Sequence, residues 1–134
     1  MSIEFPISRR WSPSGPIVDL KILVEVRTLR GFRGRHFVVD TGADFCTAPR
    51  DPAQQVGQDW DRLPVVRVTG IGPGQVRAKL GRLPLRIGGI ELSVRCLFLD
   101  QPKAPLILGC ADVLDHFALT IDAGQGKIIL TEIR

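Results

Sequence analysis

The sequence predicts an all-β domain: a small closed or partly closed β-barrel with one short helix near its C-terminus. Three observations lead there. Apolar and polar residues alternate with period two along much of the chain, glycine-containing turn signals interrupt that alternation at short intervals, and a single late stretch shows helical spacing.

The clearest strand is Val18 to Arg27. Its even positions are all apolar and its odd positions are polar except Leu23, which is the pattern of a half-buried strand. Thr28 to Gly34 holds two glycines and should turn the chain into a second strand, Arg35 to Val39. Pro64 to Thr69 forms a third, which runs into the glycine-rich tip Gly70-Ile71-Gly72-Pro73-Gly74 and returns through Gln75 to Leu80. Arg82 to Ile87 and Ile90 to Leu99 read as a hairpin around Gly88-Gly89, a turn dipeptide suited to positive φ. Ala111 to Phe117 is the expected helix, with Val113, Leu114 and Phe117 on one face. Ala118 to Asp122 and Lys127 to Ile133 then close the chain as a last hairpin around Ala123 to Gly126. Residues 1–16, rich in Pro and Ser, are expected to be a loosely ordered N-terminal segment ahead of one barrel domain spanning 17–134. The stretch from Arg50 to Asp61 is expected to be a similarly loose loop.

Composition bounds the function. The 134 residues suffice for one domain, with 44% hydrophobic and 24% charged residues. No apolar run approaches the roughly 20 residues that span a bilayer, so no membrane partner is expected. The N-terminus lacks a basic start followed by an apolar stretch, so no secretory signal is expected either. Cys46, Cys96 and Cys110 are odd in number and show no CxxC spacing, which favours a reducing, cytoplasmic compartment over a disulfide framework. His36 and His116 stand apart without ligand-spaced neighbours, so neither a metal nor another cofactor is expected. The net charge of +4 comes mostly from arginines scattered singly among apolar residues, as in Arg67, Arg77, Arg86 and Arg95. That describes solvated strand faces and not a nucleic-acid footprint.

The chemistry gathers at Val38-Val39-Asp40-Thr41-Gly42-Ala43-Asp44. An apolar strand ends directly on a carboxylate, and Gly42 allows the backbone to turn sharply beside it. Asp-Thr-Gly alone is weak, since Asp and Gly end many strands as simple turns. Its context is more specific. About 65 residues later the apolar run Pro105-Leu106-Ile107-Leu108 ends on Gly109, and the glycine-rich hairpin tip Gly70 to Gly74 lies between the two.

In the order and spacing of those three features, from about Ile17 to Ile133, the chain resembles the retropepsin family of retroviral-type aspartic proteases, and its Leu108-Gly109 ending is similar to that of bacterial members. The resemblance implies a retropepsin (acid protease) barrel and an aspartic endopeptidase. Asp40, Thr41 and Gly42 would be the catalytic triplet, with Thr41 hydrogen-bonding across a two-fold axis. Ala43, Asp44, Gly70, Ile71, Gly72 and Ile107 would contact the peptide substrate, the middle three as a flap. Cys110 stands where many members carry an arginine that pairs with the acid at the Asp44 position, so that support must come from another arginine or be absent. Pro73 would stiffen the flap.

This chemistry needs two carboxylates about 3 Å apart, one acting as base on water and one donating a proton to the substrate carbonyl. The chain carries one Asp-Thr-Gly. Its nearest look-alike, Asp122-Ala123-Gly124, is better read as the turn of the last hairpin. A symmetric homodimer acting on a peptide or protein substrate follows, with one aspartate from each subunit. The alternative is a catalytically silent module of the same fold that binds peptides or assembles with a partner, with Asp40 merely ending a strand.

Overall fold

A computed structural model describes residues 1–69 and 75–133 of the chain. The expected flap tip, Gly70 to Gly74, lies outside the described residues.

The barrel starts from an antiparallel hairpin, β4 (Lys21–Thr28) and β5 (Gly31–Val39), in register from Lys21 opposite Val38 to Thr28 opposite Gly31. The Thr28 hydroxyl closes its turn, donating to Gly31 O at 2.8 Å and accepting from Arg30 N–H at 3.1 Å. From β5 the ring passes to β10 (Ile107–Leu108), β6 (Cys46–Pro49), β9 (Ile90–Leu99) and β8 (Gln75–Ile87), and β8 pairs back onto β4. The order therefore closes, and β7 (Val65–Thr69) adds to the free half of β8.

The closing seam pairs Glu25 with Arg86 and Val26 with Leu85. There the Arg86 guanidinium donates to both Glu25 carboxylate oxygens, at 2.7 and 3.0 Å, while lying 4.0 Å over the Phe32 ring. This bond holds the Glu25 carboxyl below its ordinary range. The two strands expected at Gln75–Leu80 and Arg82–Ile87 are one continuous β8 with Gly81 inside it. A Cβ on Gly81 would lie 2.9 Å from the Phe98 ring, so glycine here admits a neighbour and does not break the strand.

Period-two alternation places the core where the sequence expects it. Ile22, Val24 and Val26 of β4 are buried, and Leu23 between them is exposed. They pack with Phe37, Leu83, Leu85, Ile87, Val94 and Phe98 in one apolar cluster. Gly88 and Gly89 both have positive φ, 55° and 87°, as a two-residue hairpin turn of primed type requires.

Outside the barrel, β1 (Ser2–Pro6), β12 (Lys127–Glu132) and β11 (Phe117–Asp122) form a three-stranded sheet, and β2 (Ser8–Ser12) pairs with β3 (Gly15–Asp19) as a separate hairpin. Residues 1–16, expected to be loose, thus carry two strands. The alternation that forms β1 is present in Ile3, Phe5 and Ile7, which all pack against the core. Pro6 interrupts the reading but is tolerated because it ends an edge strand.

The helix expected at Ala111 to Phe117 is corrected. Residues 111–116 form successive turns, and the α-helix of the described residues is α1 (Arg50–Gln55), within the stretch read as a loop. Asp112 adopts φ 68°, a left-handed conformation that interrupts a right-handed helix. Val113 and Phe117 still reach the core, through turn bonds such as Phe117 N–H to Val113 O at 3.0 Å. Helix α1 escapes a periodicity reading because it is only 6 residues long and buries only Pro52 and Ala53. Pro52 sits in its first turn, where an N–H has no helical partner to lose.

Candidate functional site

Strand β5 ends at Val39, and Asp40 follows at the barrel's edge. Its side chain is exposed, as are Thr41, Gly42 and Asp44, while Ala43 is half-buried. The loop is nevertheless held at both ends. Asp40 N–H donates to Leu108 O at 3.1 Å, and Val38 N–H donates to Leu106 O at 2.9 Å. Beyond the turn, Cys110 N–H donates to Ala43 O at 2.9 Å and Ala111 N–H to Asp44 O at 2.8 Å. Within the loop, Gly42 N–H donates to Asp40 Oδ1 at 2.9 Å and Ala43 N–H to Asp40 O at 3.2 Å. Four backbone bonds therefore tie residues 38–44 to residues 106–111, so the carboxylate stands on a rigid edge with one oxygen oriented by its own turn.

The 106–111 segment earns this position by its shape. Ile107 pairs in parallel with Val38 of β5 and antiparallel with Thr47 of β6, so β10 is wedged between the strands on either side of the Asp40 loop. Ile107 is half-buried and Leu108 is buried. Asp40 and Thr41 share a small depression with Leu108, Val113, Leu119 and Leu130, an apolar wall beneath the loop.

Of the residues singled out from the sequence, the fold brings Asp40, Thr41, Gly42, Ala43, Asp44 and Ile107 together around one loop. Gly70, Ile71 and Gly72 lie outside the described residues. Cys110, in place of the expected arginine, is half-buried, and its thiol donates to Thr41 O at 3.2 Å. Asp44 forms no ion pair among the described residues.

Sequence reasoning missed the role of Arg95. From β9 its guanidinium lies 5.3 Å from the Phe45 ring centre, next to Asp44, and bonds Asp112 through Nε at 3.0 Å. The Arg95 backbone N–H adds a bond to the same carboxylate at 2.8 Å. Arg95 thus buttresses both segments of the brace, the one after Asp40 and the one after Gly109. No local signal marks it, because its partners are 50 and 17 residues away along the chain.

These contacts hold the Asp112 carboxyl below its ordinary range, chiefly through the Arg95 side chain. A lowered folded-state pKa means that the stabilisation is complete above the usual carboxylate range, near pH 4, and is lost as pH falls through the folded value. Asp112→Asn keeps the left-handed backbone, which Asn tolerates. It is expected to cost about 1–2 kcal/mol at neutral pH, with the difference from wild type shrinking in acid. Thermal melts at pH 7 and pH 3 check this, and an unchanged difference would exclude the ion pair as its cause.

The remaining thiols are not poised as nucleophiles. Burial pushes Cys46 up to about 11, despite a bond from Gly109 N–H, and raises Cys96 well above its ordinary value. Among the described residues no cluster of three or more His, Cys, Asp or Glu gathers as for a metal ion. No helix among them is long and apolar enough to cross a membrane.

An aspartyl protease family model matches residues 26–111, more than half of the chain. The crystal structure of a retropepsin-like aspartic protease from Rickettsia conorii superposes with a TM-score of 0.62 at 21% identity, covering 97% of this chain and 91% of that one. The EIAV protease complexed with the inhibitor HBY-793 matches at 22% identity with a TM-score of 0.48, covering 68% of this chain and 81% of that one. No curated protein matches the chain in sequence. With the family model spanning the Asp40 loop, the Leu108-Gly109 segment and the strands between them, the chain belongs to the aspartyl protease family and has the retropepsin-like fold.

Proposed function

We propose that the protein is an aspartic endopeptidase that works as a symmetric homodimer, each subunit contributing Asp40. The observation that carries this reading is the state of Asp40 in one chain. It is exposed on a loop locked by backbone bonds, and it forms no ion pair among the described residues. A carboxylate presented so rigidly toward open solvent fits half of a dyad.

In the dimer the two Asp40 carboxylates approach on the two-fold axis. Charges that close do not both ionise, so the pair holds one proton between them. The ionised carboxylate takes a proton from a water, which attacks the peptide carbonyl, while the protonated one donates to the carbonyl oxygen. Collapse of the tetrahedral intermediate releases the amine with a proton returned from the dyad. Thr41 and Gly42 hold the geometry. Ala43, Asp44 and Ile107 contact an extended peptide, with Gly70, Ile71 and Gly72 closing over it as a flap. The protein acts in the cytoplasm, needs no cofactor, and has the barrel of residues 17–134 as its working domain.

Sedimentation equilibrium with and without a peptide ligand, run beside cleavage of a peptide library from pH 3 to 7, tests the proposal. Dimers with acid-favoured cleavage support it. A strict monomer that cleaves nothing points instead to a silent module of the same fold.

A further inference from the structure

The β2–β3 hairpin is well formed yet leaves one face exposed. Its five residue pairs run from Ser8 opposite Asp19 to Ser12 opposite Gly15. The Ser12 hydroxyl fixes its tip, donating to Gly15 O at 2.7 Å and accepting from Ser14 N–H at 3.2 Å. Side chains two apart on a strand share a face, so the pairs Arg9–Val18 and Trp11–Pro16 lie together. All four are exposed: Trp11 is 80% accessible and Val18 37%. A tryptophan, a proline and a valine thus share one open patch on an ordered element, and tryptophan is among the residues most enriched at the energetic centres of interfaces.

The position of this hairpin names its occupant. Strand β3 ends at Asp19, and the next residue, Leu20, accepts the Val39 N–H at 2.8 Å. The hairpin therefore leaves the barrel at the end where β5 delivers Asp40, the end that faces the second subunit in the proposed dimer. A stable interface takes roughly 20–30 residues a side, and the Asp40 loop, residues 40–44, is far smaller than that.

We infer that the β2–β3 hairpin is a dimerisation arm whose Trp11, Pro16 and Val18 face seats on a second copy of this chain. This rests on the homodimer proposed above. The arm supplies the apolar area, and the loops supply the aspartates.

Sedimentation velocity over a dilution series of the full chain tests the arm, comparing wild type with Trp11→Ala and Trp11→Phe, each shown to be folded by far-ultraviolet circular dichroism. The expected result is a wild-type dimer whose dissociation constant rises at least about 30-fold in Trp11→Ala, the loss typical of an aromatic anchor, and only a few-fold in Trp11→Phe. A wild-type dimer with Trp11→Ala dimerising equally well would overturn the arm and leave the dimer standing. A wild type that stays monomeric at the highest concentration would overturn both.

Discussion

Asp40→Asn is expected to abolish peptide cleavage while leaving the fold and the dimer intact. In a homodimer the one substitution removes both carboxylates, so base and acid disappear together and no second group takes over either role. General acid–base catalysis contributes about 10²–10⁴-fold for each such group, so the variant should lose at least about 10⁴-fold in kcat. Asn matches the shape of Asp and can accept the Gly42 N–H that now bonds Oδ1 at 2.9 Å. Because the side chain is exposed, little stability is at stake.

Mixing sharpens the test. If two wild-type subunits are needed, an equimolar mixture with Asp40→Asn keeps about a quarter of the activity of an all-wild-type sample at the same total concentration, the share of dimers carrying two aspartates. A linear dependence on the wild-type fraction would mean that each chain works alone.

Gly109→Ala is expected to lower stability by about 3 kcal/mol or more, a fall of roughly 10 °C in Tm for a chain of this length. A Cβ on Gly109 would lie 2.5 Å from the Phe45 carbonyl carbon and 3.0 Å from Ala43 O. Both neighbours are backbone, so no side chain can rotate aside. The chain must separate exactly where Cys110 and Ala111 bond to Ala43 and Asp44. Those bonds position the Asp40 loop, and a displacement of about 1 Å there is expected to cost on the order of 10² in rate as well. Gly124→Ala, at the β11–β12 turn, is the control. Its nearest contact, 3.4 Å from Asp122 Oδ1, leaves room for a methyl group, and its Tm should barely move. Equal Tm losses at the two positions would exclude the close approach as the cause.

The strands were legible wherever burial is one-sided. In β4 the alternation of Ile22, Val24 and Val26 with polar residues is the direct record of one wet and one dry face. The Gly88-Gly89 turn was legible because its backbone demands positive φ. The 111–117 segment misled because Val113, Leu114 and Phe117 carry helical spacing in turns that merely plug the core. Whether such spacing becomes a helix depends on what else competes for the backbone, and here Arg95 holds Asp112 in a left-handed conformation. Helix α1 and strand β1 were overlooked for a related reason. Each is short, and its stability comes from what it packs against.

The sequence by itself determined the all-β class, the Asp-Thr-Gly loop at a strand end and the apolar segment ending on Gly109, because these rest on local backbone and burial patterns. Only the tertiary structure decided how the loop is held. The wedge of β10 between β5 and β6, the Cys110 thiol on the Thr41 carbonyl and the grip of Arg95 on Phe45 and Asp112 join residues that lie far apart in the chain. No periodicity records such contacts, since they exist only after the barrel has closed.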